Sequence, residues 1–137
     1  MLTKVQRATR GLIDLAKEGK TITYEGVAKK LGLATSGNAL GKQTSMLLLE
    51  VHEFCVMNEL PPLTSLVVRK SGADEGLPGR GFWQLYELED AARETKEEVL
   101  KIMHLAVFSY FKDKEFLFTK PDGRVVTELR GHVRHAG

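Results

Sequence analysis

The chain has 137 residues, of which 42% are hydrophobic and 28% charged, and its formal net charge is +2 at neutral pH. This near-average composition excludes disordered and collagen-like classes, and the length allows one ordinary domain or a smaller domain with an appendage. The net charge is too small to indicate nucleic-acid binding by itself, although Lys and Arg outnumber Asp and Glu by seven to three within residues 1–34.

The sequence also bears on the compartment. It contains no apolar run long enough to cross a membrane, and its first residues lack the apolar core of a signal peptide. The single cysteine, Cys55, excludes an internal disulfide and fits a reducing environment. We therefore expect a cytoplasmic protein that does not enter a membrane.

Two helices are predicted near the N-terminus. Residues 3–18 carry apolar side chains at helical spacing, with a capping box at Thr3 and a stop at Gly19. A short β segment at residues 21–23 then leads into a helix over residues 24–31, which Thr23 caps and Gly32 ends.

A third helix is predicted from Asn38 to Asn58, capped by Thr35 or Ser36 and ended before Pro61. Its first part is small and polar, whereas residues 46–57 are apolar on most faces. The sequence thus predicts a front that is free to meet a partner and a rear that is buried in the core.

Residues 63–68 and 82–86 are predicted to form two antiparallel strands because they are rich in β-branched and aromatic side chains. Between them, residues 69–81 are dense in glycine and basic side chains and have turn chemistry. The interpretation is a hairpin with a long, exposed, cationic loop.

A long helix is predicted over residues 88–112, followed by a small hairpin around residues 121–123. The end of the helix is apolar around most of its circumference, so either the tail or a second copy of the chain must cover it. We favour a homodimer. The side chains concerned are Leu105, Val107, Phe108, Tyr110 and Phe111.

The element order predicts an α+β, mainly helical protein: a winged helix-turn-helix with an appended long C-terminal helix and a short tail. The winged-helix domain would occupy residues 1–87, and residues 88–137 would serve docking or dimerisation. The third helix would be the recognition helix, with residues 69–81 as the wing.

Three segments, residues 22–32, residues 37–41 and the stretch from Pro61-Pro62 to Val67-Val68, resemble the C-terminal DNA-binding domain of alkylguanine-DNA alkyltransferases and the alkyltransferase-like proteins. The resemblance covers roughly residues 12–70. It implies a winged helix that binds DNA, with Tyr24 at a helix start that the family uses for insertion. The alternative for Tyr24 is a boundary residue that packs at the helix start.

The resemblance fails where the family has its acceptor. A Pro-Cys-His-Arg segment precedes the valine pair in that family, whereas this chain has residues 63–66, Leu-Thr-Ser-Leu. With neither the thiol nor the imidazole, alkyl transfer to the protein is excluded. No enzyme activity is expected.

Other chemistry has weak support in the sequence. His52 and Cys55 share a helix face, but the surrounding apolar residues favour a buried, inert cysteine. His132 and His135 are close in sequence without a further ligand nearby, and the glycines of residues 76–81 precede a predicted strand instead of a helix. We expect no metal and no cofactor.

The leading hypothesis is therefore a non-enzymatic protein that binds double-stranded DNA, as a regulator or accessory factor of DNA metabolism. The alternative is a protein-interaction or inhibitor module on the same scaffold, of the kind found in mobile elements, with a protein partner. The alternative for Asn38, Lys42 and Gln43 is the solvent face of a helix, and the alternative for the loop cations is a solvated hairpin tip. The candidate nucleic-acid contacts are Tyr24, Thr35, Ser36, Asn38, Lys42, Gln43, Arg69, Lys70 and Arg80.

Overall fold

The structure is a computed structural model that describes residues 2–33, 37–113, 115–118 and 125–128, with side chains described for residues 2–33 and 41–113. It is mainly helical with short strands, as predicted. The elements in chain order are α1 (Lys4–Glu18), β1 (Ile22–Thr23), α2 (Tyr24–Leu31), α3 (Gly37–Met57), a 3-10 helix (Leu63–Leu66), β2 (Val67–Val68), α4 (Arg80–Gln84), α5 (Arg93–Phe111), β3 (Glu115–Phe118) and β4 (Val125–Glu128).

The ends of the first two helices are fixed by local chemistry, and all the predicted ones are confirmed. The Thr3 hydroxyl accepts from the Gln6 N–H, and the Gln6 side chain accepts from the Thr3 N–H. Gly19 and Gly32 end α1 and α2 in the left-handed conformation, each with φ 69°, which a side chain would strain.

Helices α2 and α3 pack against each other, and α1 packs against both. The Thr23 hydroxyl caps α2 by accepting from the Gly26 N–H at 3.0 Å. The predicted caps of α3, Thr35 and Ser36, lie outside the described residues.

The predicted strand over residues 63–68 is mostly wrong. Residues 63–66 form a 3-10 helix whose four side chains are all buried, a pattern that a two-faced strand on a surface does not give. The valine pair of β2 alone is extended, and it pairs in parallel with β1, Ile22 opposite Val67 and Thr23 opposite Val68.

The predicted second strand of the wing is also wrong, because residues 80–84 form helix α4. Phe82 and Trp83 are neighbours in sequence and both are buried, whereas a strand would place them on opposite faces. The Trp83 Nε1–H donates to the Pro78 carbonyl at 2.9 Å, which holds the turn of helix against the preceding loop. The chain after β2 is therefore not a hairpin wing.

The last long helix begins at Arg93, later than the predicted residue 88. Glu87 has a positive φ of 57°, and the Leu88 N–H donates to the Trp83 carbonyl, so the chain turns before α5 begins. Val107 and Phe111 are fully buried in the main core with α1 and α3. The prediction that either the tail or a second copy covers this end of the helix is wrong for these two side chains, because they lie in the core where α5 packs against α1 and the 3-10 helix.

The tail contains the predicted strand pair. Strand β3 pairs with β4 in antiparallel register, Glu115 opposite Glu128 and Phe118 opposite Val125. Residues 121–123, where the turn was predicted, lie outside the described residues. Within the described ranges, no helix is both long enough and apolar enough to span a membrane.

Candidate nucleic-acid interface

Two predicted contact residues at the front of α3 are exposed to solvent. Lys42 and Gln43 both lie on its solvent side, within two turns of the helix start. Among the described residues, no carboxylate pairs with Lys42. Asn38 belongs to the first turn of the same helix, so three of the predicted contacts share one helix end.

The rear of α3 is less buried than predicted. One side packs in the main core, where Val51 and Cys55 are almost completely covered. The opposite side leaves Met46 61% and Leu49 48% exposed, and Val56 and Met57 are exposed as well. The sequence could not predict which side of α3 is buried, because apolar residues occur all around the helix and hydrophobicity alone does not show where a neighbouring element packs.

Tyr24 is held in place at the first turn of α2. Its hydroxyl accepts a hydrogen bond from the Gly79 N–H at 2.7 Å, and its ring packs against the main core. Burial raises the pKa of Tyr24, while the Gly79 bond and the nearby Arg69 charge oppose the rise. Of the two sequence interpretations of Tyr24, the packed boundary residue matches this geometry.

The β1–β2 pair explains why predicted site residues far apart in sequence meet at this point. Because Thr23 lies opposite Val68, the residues that follow each strand are neighbours. Arg69 thus lies beside Tyr24, and the Lys70 ammonium lies 3.8 Å from the Glu25 carboxylate. The cluster sits at the start of α2, a position that the hairpin prediction did not give.

The loop cations are partly neutralised. Lys70 pairs with Glu25, and the Arg80 guanidinium lies 3.5 Å from the Asp90 carboxylate. Three of the four side chains are largely exposed and Glu25 is partly exposed, so the pairs are weak and water screens them. A phosphate that approaches these cations must compete with a carboxylate already beside each of them.

Arg93 is a residue that the sequence analysis missed. Its guanidinium donates to the Ala73 and Glu75 carbonyls, each at 2.7 Å, and its Nε–H donates to Glu97. These bonds join the start of α5 to the loop after β2. In the sequence, Arg93 stands out only by its i, i+4 spacing from Glu97, and such pairs are common on helix surfaces.

The other candidate reactive residues are Cys55 and the histidines. Cys55 is buried, and burial raises the pKa of its thiol to about 11, so the reactive thiolate is scarce at neutral pH. His52 has its ring edge against Tyr86. In the part of the chain that the structure describes, no three His, Cys, Asp or Glu side chains converge on a possible metal position; His132 and His135 lie outside that part.

The chain was compared with known protein families, curated proteins and solved structures. No family model, no curated protein and no solved structure matches the chain. The case for a function therefore depends on the residues and their arrangement.

Proposed function

We propose that this protein binds double-stranded DNA without catalysing a reaction, through the front of α3 in a domain of winged-helix type. The observation that carries the proposal is the exposed pair Lys42 and Gln43 on the helix that follows the helix-turn-helix turn. Gln can read adenine with two hydrogen bonds, and Lys can read guanine or contact a phosphate. The resemblance to alkyltransferase DNA-binding domains supports the same surface.

The segment that takes the position of a wing is the compact loop over residues 69–79. It is closed by the Arg69 N–H bond to the Leu77 carbonyl at 2.8 Å and by the Arg93 bonds to Ala73 and Glu75. Since Lys70 is paired with Glu25, this loop contributes less phosphate attraction than a bare cationic wing. Binding is expected to be weak or led by DNA shape, because Lys42 is the one cation in residues 38–45 of the sequence.

The experiment compares two exposed lysines in a titration of a fluorescent duplex of about 20 base pairs followed by anisotropy. Lys42→Ala removes a cation that has no ion-pair partner among the described residues, whereas Lys70→Ala removes one that is paired with Glu25. We expect Lys42→Ala to weaken binding several-fold and to flatten the salt dependence by roughly one phosphate contact, and Lys70→Ala to have the smaller effect. Equal affinity of Lys42→Ala and the wild type would remove α3 from the DNA site.

A second candidate function is protein interaction, and one observation favours it. The exposed side of α3 behind Lys42 is apolar at Met46, Leu49, Val56 and Met57. Large contiguous apolar surface on a small domain usually marks a contact with another protein. This candidate predicts a partner bound to α3 at salt concentrations that abolish DNA binding.

A further inference from the structure

The exposed side of α3 forms one regular row. Lys42, Met46, Leu49, Glu53 and Val56 follow one another at intervals of four, three, four and three residues, and all five are exposed. This is the spacing of the contact seam of a two-stranded coiled coil. The row is defined here as the α3 seam, and within it two apolar residues lie between one cation and one anion.

From this pattern we propose that two copies of the chain associate through the α3 seam as an antiparallel, twofold pair. In antiparallel pairing, a seam position of one helix faces the complementary seam position of the other. Met46 then faces Leu49 of the second copy, and Lys42 faces Glu53 of the second copy. The twofold axis repeats both contacts, so two apolar layers lie between two ion pairs.

The charges select this arrangement over the other pairings of the same seam. A parallel pair would place Lys42 against Lys42 and Glu53 against Glu53, and like charges that face each other are destabilising. An antiparallel pair shifted by one heptad would place Glu53 against Leu49 and leave Lys42 without a partner. The register centred between Met46 and Leu49 is the one that pairs both charges and both apolar residues.

The same charges argue against DNA as the occupant of the whole seam. Glu53 repels phosphates, and Met46 and Leu49 offer no hydrogen bonds to a base edge. Self-pairing covers Lys42, so a second copy and a DNA duplex compete for the front of α3. The pairing itself does not depend on DNA binding and is measured without DNA.

The test is the mass of the full chain by sedimentation equilibrium over a range of micromolar concentrations. We expect the wild type to pass from monomer to dimer and Leu49→Glu to remain monomeric. Ile102→Glu is the matched control, because Ile102 is an apolar residue on α5 with 68% of its surface exposed. It should dimerise like the wild type, and loss of the dimer in this control would place the interface on α5 and overturn the proposal.

Charge reversal tests the register. Lys42→Glu and Glu53→Lys should each weaken the dimer about tenfold, because two attractive pairs become repulsive, and the double variant should restore it. All the changes lie at exposed positions, and circular dichroism checks that each variant is folded; if Leu49→Glu does not fold, the charge set decides. A wild type that stays monomeric, or a double variant no tighter than the single ones, contradicts the proposal.

Discussion

The hydroxyl of Tyr24 and the N–H of Gly79, 55 positions apart in sequence, are joined by a hydrogen bond of 2.7 Å. This bond ties the end of the loop after β2 to the first turn of α2. A side chain at position 79 has little room, since an added Cβ would lie 3.3 Å from the Tyr24 hydroxyl. The two residues together set where the loop lies against the start of α2.

Tyr24→Phe should lower the free energy of unfolding by about 1 to 2 kcal/mol, because it leaves the buried Gly79 N–H without an acceptor. The measurement is urea unfolding. Tyr86→Phe is the control, since in the described part of the chain the Tyr86 hydroxyl has no hydrogen-bond partner and its ring contacts remain. Equal losses in the two variants would mean that the Gly79 bond adds no stability.

Arg93→Ala should loosen the loop after β2 more than it destabilises the fold. The side chain is partly exposed, so we expect a loss of less than about 1 kcal/mol in unfolding free energy, but faster hydrogen exchange at the Gly76 and Leu77 amides. Arg80→Ala is the matched control, because it removes an exposed arginine that pairs with Asp90. Unchanged hydrogen exchange in Arg93→Ala would show that the loop keeps its structure without the Arg93 hydrogen bonds.

A pair of buried threonines should respond in opposite directions to replacement by valine. Thr9 donates its hydroxyl to the Val5 carbonyl at 2.7 Å, whereas the hydroxyl of Thr44 has no hydrogen-bond partner among the described residues. Thr44→Val should therefore raise the unfolding free energy by about 1 kcal/mol, and Thr9→Val should lower it by a similar amount. Thermal or urea unfolding measures both, and a destabilised Thr44→Val variant would reveal an unseen partner.

The raised pKa of Cys55 predicts a loss of stability at alkaline pH. The thiol keeps its proton in the folded state up to a pKa of about 11, but releases it near its ordinary pKa of 9.0 once unfolded. Stability from this group is therefore complete below pH 9 and declines as the pH rises from 9 towards 11. The wild type should lose more unfolding free energy than Cys55→Ala between pH 8 and 10.5; parallel losses would contradict the burial of the thiol.

The helix ends were predictable from the sequence because their chemistry is local. Thr3, Gly19, Thr23 and Gly32 act on neighbours within one turn, so spacing alone identifies them. The exposure of Lys42 and Gln43 was also predictable, since polar side chains at the start of an apolar helix usually face solvent, whereas the burial of Thr44 was not.

The segment after residue 62 was not predictable because tertiary contacts decide it. Phe82 and Trp83 have strand propensity, but burial of both rings and the bond from Trp83 to Pro78 favour a turn of helix. Arg69 and Lys70 lie beside the start of α2 and not at a hairpin tip, because β2 pairs with β1. The carboxylates that pair with Lys70 and Arg80 come from other elements, and sequence spacing gives no sign of them.

The measurement that tests DNA binding most directly is a titration of the wild-type chain against duplex DNA at several salt concentrations, followed by anisotropy. The proposal predicts binding at low ionic strength whose logarithmic affinity falls linearly with the logarithm of salt concentration, by a slope that reflects a few phosphate contacts. It also predicts that Glu53→Lys, which opens the α3 seam and adds a cation, binds more tightly. No binding to any duplex at low ionic strength, with the protein folded, would contradict the proposal and leave protein interaction through α3 as the function.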